Sequence, residues 1–516
     1  MSVSTLITVS DAVSNVLAWL HANAPAAELT SDSRSVHDGD VFVAYPGDEA
    51  DGRAYIGDAI ERGARAILYE ADGHVASAEW NVPHFAVENL KHHAGEIAAV
   101  WYDHPDRSML TIAVTGTNGK TSCTQWLGGA LSRLGMPTVV IGTLGVGIFR
   151  DGSAGDFNVT GYTTPDAVLL QRALANARRD GATALAIEAS SIGLHQGRMS
   201  GMHVDIAVFT NFTRDHLDYH GDVAAYEEAK AMLFDWPELR HAVVNLDDAM
   251  GLRLIKRLQD RQPQTAITGY TLENHVIDGI GILSADDIRS TQRGTSFQLT
   301  GRQTAQHDAT LVKTQLVGQF NVSNALGIIG ALLAQDVAWR DAVSAIEALQ
   351  PVPGRMQQLG GTDAPLVVID YAHTPDAIDK ALAALRVVAN ERGGELWCIF
   401  GCGGDRDAGK RPQMGRAADA ADHVVVTTDN PRNEEPADII AQIVQGLDRP
   451  EKKPYIIEDR AMAILWACQR AAREDVILMA GKGHEAYQEI KGRKLPFLDA
   501  DHATLALSAR KMKGGG

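Results

Sequence analysis

The sequence predicts an α/β protein of three domains. These are a small N-terminal α/β unit, a central parallel-sheet domain with a phosphate loop, and a C-terminal Rossmann-like α/β domain. Three observations carry this reading. The 516 residues correspond to about three domains at roughly 150 residues each. β-Branched apolar runs alternate with helical segments, as in doubly wound sheets. Two breaks interrupt the alternation, at His104-Pro105-Asp106 and at Pro351-Val352-Pro353-Gly354, setting domains of 1–108, 109–350 and 351–516.

In the first domain, Asp40–Tyr45 reads as a strand closed by the Pro46-Gly47 turn, and Ala66–Tyr69 as a second strand. In the second, Leu110–Thr115 has the apolar, β-branched make-up of a strand buried on both faces. Thr138–Gly142, Ala184–Glu188, Ile206–Thr210 and Ala242–Asn245 follow as strands, with a helix over Val223–Phe234. After the second break, Leu366–Asp370, Leu396–Gly401, His423–Thr427 and Val476–Ala480 restart the pattern. Gly514-Gly515-Gly516 reads as a tail.

Composition excludes several classes of function. Hydrophobic residues make up 45% and charged residues 22%, which rules out a wholly disordered or fibrous chain. A net charge of -18 argues against non-specific nucleic-acid or anionic-membrane binding. Cys123, Cys398, Cys402 and Cys468 are too scattered for a disulfide framework or a zinc site. No apolar run reaches the roughly 18 residues of a membrane span. The N-terminal stretch, Met1–Leu20, lacks the basic start and small-residue cleavage site of a signal peptide. A cytoplasmic monomer without nucleic-acid partners is expected.

The chemistry begins at Gly116-Thr117-Asn118-Gly119-Lys120-Thr121-Ser122, between a buried strand and a helix. Glycines let backbone N–H groups turn toward phosphate oxygens, and the helix N-terminus adds a positive end. Lys120 supplies a cation for the outer phosphates, and the Thr121 hydroxyl is a ligand for Mg²⁺. Val114 stands where the usual pattern has its first glycine, so the loop is a shortened variant. Glu188-Ala189-Ser190-Ser191 and Asn211–Asp218 each follow a strand, where carboxyl-end loops carry ligands. A carboxylate and the His216 imidazole in the second loop suit a metal beside nucleotide phosphates. His216 alone reads more often as an ordinary polar surface histidine, and its place in this acidic loop brings the metal reading level with that one.

Taken in order, these segments resemble the Mur ligase family of ATP-dependent amide-forming enzymes. The resemblance continues through Gly318–Ala325, Pro353-Gly354-Arg355 and Asp370–Asp376, and so covers essentially the whole chain. Within the family, Thr30–Arg34, Gly401–Asp407, Asp429-Asn430-Pro431-Arg432 and Gly481–Glu485 are similar to the members that attach meso-diaminopimelate to UDP-MurNAc-dipeptide. The resemblance implies ATP as co-substrate, Mg²⁺, and activation of the D-glutamyl carboxylate as an acyl phosphate.

It also implies roles for individual residues. ATP falls to Gly116, Thr117, Asn118, Gly119, Lys120, Thr121, Ser122, Asn321, Arg355 and Asp370. Thr121 and Glu188 would hold one Mg²⁺ and His216 would help with a second. The uridine-linked substrate falls to Ser33, Arg34, Thr163, Thr164, Ser190, Gln196 and Arg198. Diaminopimelate falls to Arg406, Asp429, Asn430, Pro431, Arg432, Gly481 and Glu485. Lys230 corresponds to a lysine that the family carbamylates; by itself a helical lysine reads as solvated.

Three rivals stay open. A lysine-adding ligase of the same fold would have no use for an arginine fork at Arg432. A folate polyglutamate ligase shares the phosphate loop but not the Asp32-Ser33-Arg34 segment. A non-catalytic nucleotide-binding protein would not need Lys120, Glu188, His216 and Lys230 together.

Overall fold

The computed structural model describes residues 11–47, 50–291, 294–302, 307–448 and 453–513. The sequence expectations for the first ten residues and for the terminal glycines lie outside them. The chain forms two compact units. The first holds the described residues up to Thr115, with Leu131–Ala207 and Ala229–Arg240; the second holds Gly116–Ala130, Val208–Glu228 and the chain from His241 onward.

In the first unit, Leu29–Thr30, Val41–Ala44, Ala66–Glu70 and His84–Val87 form a parallel sheet in chain order. Its two faces separate into two apolar clusters. Val41, Val43, Ala66 and Leu68 pack on Leu20 and Ile97 of flanking helices, while Phe42, Ala44 and Ile67 pack on Ile56 and Ala59. Alternate residues of a strand point to opposite faces, so continuous burial of Ala66–Glu70 requires cover on both. In the same unit Leu110–Thr115 pairs in parallel with Ala184–Glu188, which pairs in parallel with Thr138–Gly142. Gly145–Arg150 then turns back antiparallel.

In the second unit His241–Asn245, Ala266–Thr271 and Gly281–Thr291 are parallel neighbours. The chain then departs from the predicted parallel pattern. Gly281–Thr291, Gly294–Arg302 and His307–Thr314 make a long antiparallel ribbon.

The six-stranded sheet matters most for function. Its order is Gln357–Gly360, Leu366–Asp370, Val476–Ala480, Leu396–Phe400, His423–Val426 and Tyr455–Ile456. All neighbours are parallel except the first pair. Pro375–Arg392, Lys410–Ala418 and Pro436–Val444 cover one face, and Arg460–Arg470 and Asp499–Lys513 the other. Asp370, Phe400, Val426 and Ala480 therefore end four parallel strands at one edge, where loops of an open α/β sheet present ligands. Under that edge Arg460 and Asp499 form an ion pair of 2.6 Å with both side chains 0% exposed. A second Arg460 bond, 3.0 Å, holds the carbonyl of Ala480.

Candidate functional site

The phosphate loop is shaped by two glycines that accept no side chain. Gly116 has φ +150°, and a Cβ there would lie 1.9 Å from Thr210 Oγ1. Gly119 has φ +88°, and its Cβ would meet Asn324 Oδ1 at 2.7 Å. The loop is tied to the next motif: Thr117 and Asn118 donate their N–H groups to Asn211 O and Oδ1 at 2.8 and 2.9 Å. Lys120 opens the helix Lys120–Arg133, and its ammonium curls back to donate to Gly116 O and Thr117 O at 2.8 and 2.9 Å. A cation is thus held over the loop. Thr121 and Ser122 lie buried in the first helical turn.

The same unit brings distant nucleotide-side residues to this loop. Arg355 donates to Thr121 Oγ1 at 3.0 Å and stacks over the Tyr371 ring at 4.4 Å. Asp370 accepts the N–H of Met356 at 2.8 Å; burial raises its carboxyl, against the opposing charge of Arg355. Asn118 reaches Asp376 at 3.3 Å. Asn321 is buried in Gln319–Leu333 and donates to Val317 O at 2.8 Å.

Asp215 is the centre of the second motif. His216, His373 and Lys410 place nitrogens 3.4, 3.6 and 4.0 Å from its carboxylate. Burial would raise this carboxyl, but these charges together hold it well below the usual carboxylate range. His216 takes the left-handed conformation, φ +51°, and its side chain is 43% exposed. Sequence reading grouped an unspecified carboxylate with His216 and missed His373 and Lys410, which only the fold brings to it.

The first unit assembles another cluster. Glu188 is 1% exposed, and its carboxylate takes the N–H and hydroxyl of Thr143 at 2.8 and 3.1 Å. Thr143 also lies 3.2 Å from the Thr163 hydroxyl. Thr164 donates to Glu188 O at 2.7 Å and meets Ser190 Oγ at 2.9 Å. Arg198 donates to Thr164 O and Gln196 Oε1 at 2.9 and 2.7 Å. The segments around Thr163, Glu188, Ser190 and Arg198 are therefore one hydrogen-bonded body. Asp166 caps the following helix, and its oxygen lies 3.4 Å from the Tyr45 hydroxyl, joining the N-terminal sheet to this cluster. Neither Tyr45 nor Asp166 was singled out from sequence. Ser33 and Arg34 sit on the short turn Ser33–Ser35, where Asp32 accepts two 2.9 Å bonds from an exposed Arg34 guanidinium.

Lys230 corrects the bare sequence reading. It lies in the last turn of Val223–Ala231 and is 1% exposed, not solvated. The helix is also shorter than expected: Met232–Asp235 continues as 3-10 helix.

At the edge of the six-stranded sheet, Asn430 donates to Glu485 Oε2 at 2.8 Å. Asp429 is buried beside it; burial raises its carboxyl, against the pull of Lys482 and Arg460. Arg432 takes φ +51°, donates to Gly404 O at 2.7 Å and lies 3.4 Å from Glu489. Pro431 is buried and Arg406 is exposed on the neighbouring loop. The loops approach closely at three glycines, two against backbone and one against the Asp429 carboxylate. A Cβ on Gly481 would lie 2.5 Å from Asp429 Oδ2, one on Gly354 would lie 2.2 Å from His484 N, and one on Gly483 would lie 2.8 Å from Gly354 O. The Asp429–Arg432 loop thus carries an amide paired with the Glu485 carboxylate and, two residues on, a guanidinium beside Gly404 and Glu489, groups that suit a zwitterionic amino acid.

Comparison with known proteins places the chain in a family. The Mur ligase middle domain matches residues 114–332, the glutamate ligase domain 354–483, and the Mur ligase family catalytic domain 26–102. A protein of Janthinobacterium sp. (strain Marseille) named UDP-N-acetylmuramoyl-L-alanyl-D-glutamate–2,6-diaminopimelate ligase is 72% identical, over 98% of this chain and 99% of its own. A Ralstonia nicotianae protein of the same name is 50% identical, over 96% of each chain. A solved structure with that name is 37% identical, covers 94% of this chain and 95% of its own, and has a TM-score of 0.64. A MurF ligase from Thermotoga maritima in complex with ADP shares the fold at 18% identity, with a TM-score of 0.63 over 98% of this chain and all of its own (100%). Matched in order by three family models and along nearly its whole length by a 72% identical relative, the chain belongs to the Mur ligase family.

Proposed function

We propose that the chain is an ATP-dependent amide ligase that adds meso-diaminopimelate to UDP-N-acetylmuramoyl-L-alanyl-D-glutamate in peptidoglycan precursor synthesis. The observation that carries the choice of amino acid is the Arg432, Asn430 and Glu485 constellation at the carboxyl edge of the six-stranded sheet. The relatives' shared name supports the same substrate.

The D-glutamyl carboxylate is a poor electrophile. Its oxygen bonds to the γ-phosphorus of ATP and ADP leaves. The diaminopimelate amine then attacks the acyl carbon, loses a proton, and phosphate departs. Charge gathers on the phosphoryl group in the first step, so fixed donors and cations are what the chain must supply. Lys120 and the Gly116–Ser122 backbone are assigned to the phosphates, Arg355 to the transferring group, and Asn321 and Asp370 to the nucleotide. Arg198, Gln196, Ser190, Thr163, Thr164, Ser33 and Arg34 are assigned to the uridine-linked substrate.

Mg²⁺ fits the donor chemistry. Thr121 offers a hydroxyl and Glu188 a buried carboxylate oriented by Thr143, both hard oxygen ligands, and His216 offers a nitrogen for a second ion. Bound there, Mg²⁺ would neutralise phosphate charge. Lys230, as a carbamate, would carry an anion in place of its ammonium at a buried position, where either charge needs a partner.

We assign the reaction to the cytoplasm, in a monomer of three domains, 1–108, 109–350 and 351–516. The four cysteines are buried and form no disulfide, which fits a reducing compartment. The test is mass spectrometry of the product from the uridine dipeptide, ATP and equimolar lysine and meso-diaminopimelate. A diaminopimelate tripeptide is expected; a lysine product would overturn the choice of substrate, and no product would overturn the ligase.

A further inference from the structure

Lys482 is a cation with no place in the roles assigned so far. Its side chain is 0% exposed, although it follows Gly481 at the edge of the pocket. Its ammonium donates to Asn430 Oδ1 at 3.1 Å and to Glu485 Oε2 at 3.1 Å. It also lies 5.7 Å from the centre of the Tyr487 ring. The backbone N–H of Glu489 donates to the same Asn430 oxygen at 3.0 Å.

This arrangement decides which way the Asn430 amide faces. An ammonium and a backbone N–H can only donate, so the atom that receives both must be the oxygen. The amide nitrogen is then forced toward Glu485 Oε2, 2.8 Å away. One of its two hydrogens is spent there and the other remains for a carboxylate oxygen of a ligand. Glu485 is fixed by the same cation, with Tyr371 at 3.4 Å from its other oxygen. Asp429 and Glu485 are like charges that raise each other's cost of ionising; Lys482 opposes this from the Asn430 side, with Arg460 as the other cation acting on both.

We propose that Lys482 is a positioning residue for amino-acid selection. From beneath the pocket it locks the Asn430 amide in one orientation and holds Glu485 ready for an ammonium group, without touching the substrate itself. The proposal rests on the assignment of this pocket to diaminopimelate.

The experiment compares wild type, Lys482→Met and Lys482→Gln in steady-state assays, varying each of the three substrates in turn. Wild-type turnover of diaminopimelate checks the pocket assignment independently; without it, that assignment fails and not the lysine's role. With it, both variants should raise KM for diaminopimelate about ten- to a hundredfold, as expected for losing charge-assisted hydrogen bonds. KM for ATP and for the uridine dipeptide should stay within about threefold, a spread of less than one charge-assisted bond, and kcat at saturating diaminopimelate likewise. A lysine that merely supports the fold would instead lower kcat or raise all three KM values together, and either pattern would overturn the proposal. So would an unchanged KM for diaminopimelate in either folded variant. Glutamine is one atom shorter but keeps an amide donor, and serves if burial makes the methionine variant insoluble. A further arm combines Lys482→Met with Glu485→Gln. The double variant should be much less impaired than the product of the two single effects, because the lysine acts through the carboxylate; full multiplicativity would refute that route.

Discussion

Replacing Arg432 with alanine separates recognition from support more cleanly than any other change at the sheet edge. The side chain is 21% exposed and already engaged, by one bond of 2.7 Å to Gly404 O and a 3.4 Å approach to Glu489. Losing the Gly404 bond should cost about 1 kcal/mol of stability. Glu489 is itself 28% exposed, so stranding it adds little. A ligand carboxylate on the guanidinium contributes about 1.5–3 kcal/mol, and each 1.4 kcal/mol is roughly tenfold. Arg432→Ala should therefore lower kcat/KM for diaminopimelate about ten- to a hundredfold while the protein stays folded. Arg432→Lys should recover little, because an ammonium cannot reproduce the planar fork.

The backbone supplies an internal control. Residue 432 sits at φ +51°, where a side chain costs roughly 1–2 kcal/mol relative to glycine. Arg432→Gly should be at least as stable as Arg432→Ala, yet equally poor with diaminopimelate. Thermal melts and paired kinetics with diaminopimelate and lysine read all of this. Lysine has no second carboxylate to lose, so its weak use should change much less. Equal losses for both substrates would show that Arg432 serves the fold or the chemistry and not selection.

Other predictions follow from the same geometry. Lys120→Ala should fold but lose nearly all ligase activity, since its ammonium is the cation held over the loop by Gly116 and Thr117; turnover of the purified variant checks this. Lys230→Ala should be nearly inactive and regain part of its rate with short carboxylic acids, whereas full activity without addition would remove the carbamate from the mechanism. His203 is raised above its usual range mainly by its hydrogen bond to Asp205, 3.0 Å away, and Asp205 also accepts the N–H of Thr111 at the start of the phosphate-loop strand. A raised histidine stabilises most below about pH 6.5 and loses that contribution as pH climbs through its folded value. The melting-temperature gap between wild type and His203→Asn should therefore shrink from pH 6 to pH 9; a gap that widened would reverse the sign.

Strands buried on both faces were legible because burial leaves an unbroken apolar run. Leu110–Thr115, Thr138–Gly142, Ala184–Glu188, Leu366–Asp370 and Val476–Ala480 have the predicted bounds. The ribbon from Gly281 to Thr314 was missed for the opposite reason. Its outer half alternates half-buried and exposed positions, and residues such as Asp286, Asp287 and Arg289 read locally as a turn-rich polar stretch. Only pairing with Gly294–Arg302 makes it a strand. Site residues follow the same division. Glu188 ends a strand and Lys120 opens the helix that follows one, both within recognisable spacing, but His373, Lys410 and Lys482 acquire meaning from partners 158, 195 and 52 positions away. The bare local reading of Lys230 as a solvated helical lysine fails because its neighbours, Ala229 and Ala231, give no local sign of how deep the helix lies.

The close approaches at Gly354, Gly481 and Gly483 have a consequence for engineering. Each of these glycines is fitted against an atom of another loop: His484 N, Asp429 Oδ2 and Gly354 O. A loop transplanted alone from a ligase of different amino-acid preference would arrive against backbone that was shaped by other partners. A few tenths of an ångström of misfit would be felt as collision where Gly354 and Gly483 meet backbone, since no flexible side chain is the nearest atom there. Exchange of substrate preference should then succeed only when the Pro353–Arg355, Asp429–Arg432 and Gly481–Glu485 segments travel together. The modular unit of this pocket is the interlocked set of loops, and a library that varies one loop at a time explores mostly broken proteins.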